Sequence, residues 1–121
     1  VETEPNGTIA TANPMVSQTS TIGGIMPVGD KDYFSFNVPG PASMVMLETT
    51  DWLGGCPPGF DSVVYLYSPA GVQLGVDDDG GPVSCSLLTK VNLPAGLYTA
   101  RVEYSFNAGT TSFYKLDVTV Q

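Results

Sequence analysis

The sequence predicts an all-β fold, an antiparallel β-sandwich of jelly-roll type with about eight strands, on three observations. Apolar residues recur with period two in short runs. Clusters of Gly, Pro, Asn and Asp separate those runs, and no stretch carries a competing helical period. The composition agrees, because 14 Gly and 10 Pro are too many turn formers for a helical bundle, while 42% hydrophobic residues is too apolar for disorder. At 121 residues the chain is about one domain's worth, enough for a single core but not for a catalytic and a binding domain together.

Taken in order, residues 1–8 are polar, contain Pro5, and form a linker-like segment contributing to the domain. Residues 9–121 are expected to be the sandwich itself. A strand is expected from Ser20 to Met26. In KDYFSFNV, Phe34, Phe36 and Val38 face one way and Tyr33, Ser35 and Asn37 the other, the pattern of a half-buried antiparallel strand. Further strands are expected from Ser43 to Thr50 and from Asp61 to Tyr67. The VVYLY run alternates less cleanly, as a strand covered on both sides would, which places Val63 to Tyr67 in the middle of a sheet. SPAG at 68–71 then makes a hairpin turn into a strand from Val72 to Val76. A strand from Ser86 to Leu93 precedes LYTARVEY, where Tyr98, Ala100, Val102 and Tyr104 share a face. The closing FYKLDVTV places Tyr114, Leu116, Val118 and Val120 together against Lys115, Asp117 and Thr119.

Several function classes are excluded or disfavoured. Four basic against twelve acidic residues give a net charge of −8 with no basic stripe, so phosphate backbones and anionic membranes are electrostatically poor partners. The absence of His removes the imidazole base of a Ser or Cys triad and the imidazole ligands of most catalytic zinc sites. Pairs of carboxylates exist, Glu48 and Glu103 for example, but nothing singles out two in a cleft, so an enzyme is not expected. No apolar run approaches the ~20 residues that cross a bilayer. The sequence begins at Val1 rather than Met, which suggests a piece of a longer secreted protein. Cys56 and Cys85 are the only cysteines, each in a loop-like setting, GGCPPG and PVSCS. A disulfide between them is expected, and with it an oxidising, extracellular compartment.

Two short acidic patterns stand out. Glu2, Glu4 and Asn6 in ETEPNGT carry oxygen donors at alternate positions, which in an extended segment lie on one side of the chain. Asp30 and Asp32 in GDKDYFSF repeat the spacing at the mouth of a strand. If the segments meet, five oxygen-bearing side chains converge, which suits Ca²⁺. Acidic residues at strand ends are also commonly just solvated, so spacing alone leaves both readings open. The run Asp77, Asp78, Asp79 before Gly80 and Gly81 favours a tight turn over a second cation site. For contact with a polymer, Trp52 between a strand and a Gly-rich loop is the first candidate, followed by Tyr33, Tyr65 and Tyr104, each of which has a competing reading as a packing residue. Asn6-Gly7-Thr8 matches the N-glycosylation pattern, a frequent chance match.

EPNGTIATA, GDKDYFSFNV, FDSVVYLYSPAGVQLGVDDDGG and LPAGLYTARVEY followed by YKLDVTV, in that order over nearly the whole chain, resemble the bacterial pre-peptidase C-terminal domain. This is a β-sandwich module appended to secreted proteases, and the family includes collagen-binding domains of clostridial collagenases. The resemblance implies structural calcium held by Glu2, Glu4 and Asn6 with Asp30 and Asp32. It implies a non-catalytic accessory domain of a secreted protease, joined to the catalytic domain in one chain, which binds insoluble protein, collagen among the candidates, or aids secretion and maturation. Gly7 stands where the calcium-binding collagenase domains carry Asp, the GDKD turn is shorter than theirs, and the cysteine pair is outside their pattern. The alternative from another class is a carbohydrate-binding module of a secreted enzyme, also often a calcium-stabilised sandwich, which would need a planar row of aromatics.

Overall fold

The computed structural model describes residues 2–16, 19–23, 29–51, 53–56, 61–78, 80–81, 85–104 and 114–121. Trp52 and Asp79 lie outside the described residues. A short 3-10 turn, Ile9–Thr11, is capped by Thr8, whose side chain accepts from the Thr11 amide. The strands are β1 (Asn13–Pro14), β2 (Thr19–Gly23), β3 (Lys31–Val38), β4 (Ser43–Thr50), β5 (Ser62–Tyr67), β6 (Gln73–Asp77), β7 (Leu87–Leu93), β8 (Gly96–Tyr104) and β9 (Tyr114–Val120).

They form two sheets, ordered β1-β3-β8-β5-β6 and β2-β9-β4-β7. All pairings are antiparallel except the two-residue β1, which lies parallel to β3. Without β1, the chain weaves between the sheets in the strand order of a jelly roll, the sandwich type expected from the sequence. The period-two assignments hold residue by residue. Phe34, Phe36 and Val38, Tyr98, Ala100 and Val102, and Leu116, Val118 and Val120 all point inward and are buried. They meet Val45 and Leu47 of β4 and Val64 and Leu66 of β5 in one core. Burying each of the Val, Leu and Phe side chains contributes about 1.5–3 kcal/mol.

Two expectations need adjustment. β5 is internal but sits beside the edge strand β6, and it is β8 that is central in the five-stranded sheet. β5 also alternates cleanly between buried and half-buried positions. Its outward residues are Val63, Tyr65 and Tyr67, and the run looks apolar in the sequence because the two tyrosines pack on each other across the sheet's outer face. β1 was not anticipated, since two residues ending in Pro carry no period. Pro14 is tolerated there because an edge strand loses no ladder bond to its missing N–H.

Cys56 and Cys85 are joined, with Cα atoms 5.7 Å apart. Beside the bridge a buried hydroxyl chain links the sheets. The Thr49 and Ser62 hydroxyls lie 2.8 Å apart, as do those of Ser62 and Ser86, and the Ser86 amide donates to Thr49 Oγ1 at 2.9 Å. Asp77 closes the following turn by accepting the Gly80 and Leu87 amides through Oδ2, both at 2.8 Å. The turn reading of the acidic run therefore accounts for Asp77.

Candidate functional site

The N-terminal segment is laid against the start of β3. The Tyr33 amide donates to the Asn6 carbonyl at 3.0 Å. Asn13 holds the segment from the other side, its Oδ1 accepting the Thr3 amide at 2.7 Å and its Nδ2 donating to the Thr3 carbonyl at 2.9 Å. This docking brings the two acidic patterns together. One carboxylate oxygen each from Glu2, Glu4 and Asp32 lie within 4.8 Å of one another. Asn6 joins them, its Nδ2 donating to Glu2 at 3.1 Å and its amide to Glu4 at 2.9 Å.

The electrostatics of this cluster are unfavourable as it stands. Asp32 is fully buried. Burial first, then the charges of Glu2 and Asp30, push its carboxyl up to about 8 against the opposing hydrogen bond from Tyr114. Asp30 is also raised, by burial and by Glu4 and Glu2. Three buried oxygens, Asn6 Oδ1, Asp30 Oδ2 and Asp32 Oδ1, have no hydrogen-bond donor. Leaving such groups unpaired is costly; Asp32 belongs to the converging triad and Asn6 is hydrogen-bonded to it, whereas Asp30 is not among the carboxylates within 4.8 Å of one another. The donor set consists only of hard oxygens, so the residues fit a hard divalent cation, which would take the orphaned oxygens as ligands and cancel the repulsion. The buried Asn6 amide also leaves no room for a glycan on the folded chain.

A residue the sequence reading missed in this role is Tyr114. Its period places it in the core, and its ring is there, but its hydroxyl crosses to donate to Asp32 Oδ2 at 2.5 Å. Burial and the neighbouring Asp32 charge raise its own pKa well above the usual value. The ring fits because the residue paired with it on β2 is Gly23, where an added Cβ would fall 1.8 Å from the Tyr114 ring. Tyr114 thus orients a carboxylate from the far sheet, as outer partners orient metal ligands. Tyr114→Phe is expected to leave the fold intact and weaken cation binding about tenfold, measurable by calorimetry; unchanged affinity would show that the hydroxyl orients nothing.

The candidate contact tyrosines divide. Tyr33 of β3 and Tyr65 of β5 emerge on the outer face of the five-stranded sheet, on either side of Arg101 of β8. Tyr67 joins them, with ring centroids 6.2 Å from Tyr33 and 6.4 Å from Tyr65. The Arg101 guanidinium lies 4.2 Å from the Tyr65 ring centroid and donates to the Tyr67 hydroxyl at 3.0 Å and to Glu103 at 2.6 Å. Burial opposes the Arg101 charge, but these hydrogen bonds raise its pKa above the ordinary value. Tyr104 is a correction. Only 2% exposed, it sits in the core and offers no surface to a polymer, because its position in LYTARVEY puts it on the inner face with Tyr98 and Val102. Tyr67 is not among the sequence candidates, although its i, i+2 spacing from Tyr65 is a signal for it.

The fold and the site define the class as a jelly-roll sandwich with an acidic cluster under its N-terminal segment. No family profile and no curated protein matches the sequence. Among solved structures, the chain is similar to the pre-peptidase C-terminal domain of a collagenase from Bacillus anthracis, with a TM-score of 0.66 and 18% identity over 91% of this chain and 94% of that one. It is also similar to PliG of Aeromonas hydrophila, a periplasmic inhibitor of g-type lysozyme, with a TM-score of 0.61 and 11% identity over 91% and 97% of the two chains. At these identities the likeness establishes the fold, which is the fold the sequence resemblance implied.

Proposed function

We propose that this chain is a calcium-stabilised, non-catalytic accessory domain of a secreted protease, joined to the catalytic domain in one polypeptide, which holds the enzyme on insoluble protein. The observation that carries the binding role is the outer face of the five-stranded sheet, where Tyr33, Tyr65 and Tyr67 surround Arg101. Aromatic rings on rigid strands give contact area at little entropic cost, and Arg101, bonded to Tyr67 and Glu103, holds them in place. The fold likeness to a collagenase domain makes collagen the first polymer to try. The disulfide and the absence, among the described residues, of any helix long and apolar enough to cross a membrane are compatible with an extracellular setting.

The test is co-sedimentation with insoluble collagen, cellulose and chitin. Retention on collagen is expected. Tyr33→Ala and Tyr65→Ala should each weaken it by about tenfold or more without lowering the unfolding midpoint by more than a few degrees. Retention on the polysaccharides alone would favour a carbohydrate-binding module. Retention on none of the three would sink the binding role.

A further inference from the structure

Asn6 is followed by Gly7, and nothing in the fold requires glycine there. A Cβ at Gly7 would meet only the Lys31 carbonyl oxygen at an ordinary 3.7 Å, and Gly7 is not among the glycines with positive φ. What glycine does supply is an unhindered backbone nitrogen next to the Asn6 amide. In the docked segment the Asn6 side chain is fully buried, its Nδ2 donating to Glu2 and, at 3.3 Å, to Asn13. The segment is held by few bonds, chiefly that from Tyr33 to the Asn6 carbonyl and the Thr3 to Asn13 pair. Against them stands the repulsion among Glu2, Glu4, Asp30 and Asp32, which a proton on Asp32 relieves in part and a bound cation would relieve further.

We propose that Asn6-Gly7 is a self-modification site gated by the cation of the acidic cluster, protected while the cation is bound and converted once it is lost. In the opened segment the Gly7 backbone nitrogen attacks Cγ of Asn6. A C–N bond forms, the Gly7 amide proton is transferred to the departing amide nitrogen, and ammonia leaves, producing a succinimide. Water then adds to one of the two ring carbonyls and opens the ring, giving aspartate or isoaspartate at position 6. No oxidant or reductant takes part. In the closed segment the amide is pinned and water is excluded, so the rate follows the population of the opened form. The aspartate product adds a carboxylate to the cluster. The isoaspartate product routes the backbone through one extra carbon, which displaces the carbonyl that accepts from Tyr33 and the register of Glu2 and Glu4. A molecule that loses its calcium is thereby marked irreversibly.

This inference rests on the calcium reading of the cluster, and the experiment separates the two. Wild type and Gly7→Ala are incubated at neutral pH with CaCl₂ or with EGTA. Conversion is followed by intact mass, peptide mapping and isoaspartate methylation, while calcium binding to fresh samples is measured by calorimetry. Wild type in EGTA is expected to convert at position 6, calcium to slow this by about tenfold or more, and Gly7→Ala to bind calcium like wild type yet convert at least about tenfold more slowly in EGTA. Calcium binding with no conversion in EGTA, or with equal rates in both conditions, would overturn the gating while leaving the calcium reading intact. Absence of calcium binding would remove that reading, and the gating with it.

Discussion

Adding millimolar calcium to chelated protein is expected to raise the unfolding midpoint by several degrees, and by more at pH 8 than at pH 5. A ligand that binds only the folded state stabilises it by RT ln(1 + [L]/Kd), about 4 kcal/mol at a thousandfold excess over Kd. The pH dependence follows from Asp32. Its folded pKa of about 8 lies above the 3.8 of an ordinary aspartate, so between these values the cation-free fold holds a proton that the unfolded chain does not. Stability of the cation-free protein should therefore be greatest in mild acid and fall as pH rises through this window, by at most about 1.4 kcal/mol per unit. Calcium takes the place of that proton, so its binding tightens as pH rises and should flatten or reverse the decline. Asp32→Asn in EGTA should lose most of this pH dependence, because an amide carries no titrating proton, and keep the smaller part due to Asp30, whose carboxyl is also raised. A calcium shift that is the same at both pH values would separate the cation from Asp32, and no shift at all would remove the calcium site.

The fold was legible because its signals are local. Alternation over five or more residues decides which side chains face the core, and Phe34, Ala100 and Leu116 are where that rule puts them. The five members of the acidic cluster were legible as two spaced patterns, and whether the patterns met was not, because their meeting depends on residues outside both. Asn13 clamps Thr3 from ten positions along the chain, and Tyr114 reaches Asp32 from the opposite sheet. Period two assigns Tyr114 and Tyr104 alike to the core, and only the far end of the ring distinguishes the one that reaches the acidic cluster. On the outer face, Tyr33 and Tyr65 were visible one at a time. Their grouping around Arg101 follows from the β3-β8-β5 order, which alternation within single strands does not encode.

Opening the disulfide is expected to produce the largest loss of stability from any single covalent change, and to do so without abolishing the calcium effect. The bridge closes a loop of 29 residues, a constraint on the unfolded chain that the loop-entropy relation values at roughly 3.5 kcal/mol. For a domain of this size that lowers the midpoint by roughly 10–20 °C. Part of the effect should be local, since Cys85 is buried in the core immediately before Ser86, whose amide and hydroxyl hold Thr49, Ser62 and Asp78 together. The bridge fastens the segment after β4 to the segment before β7, whereas the acidic cluster fastens the N-terminal segment to β3. The hydrogen bonds that hold the N-terminal segment and those around Ser86 have no residue in common, so the two contributions should add. The Cys56→Ala, Cys85→Ala double variant should melt at the lower temperature in EGTA and still gain from calcium about what the oxidised protein gains. A variant that melts with the wild type would show that the bridge constrains little. One that has lost its response to calcium would show that the two fastenings act as one, with the sandwich carrying a strain from one end of β4 to the mouth of β3 that the hydrogen bonds alone do not reveal.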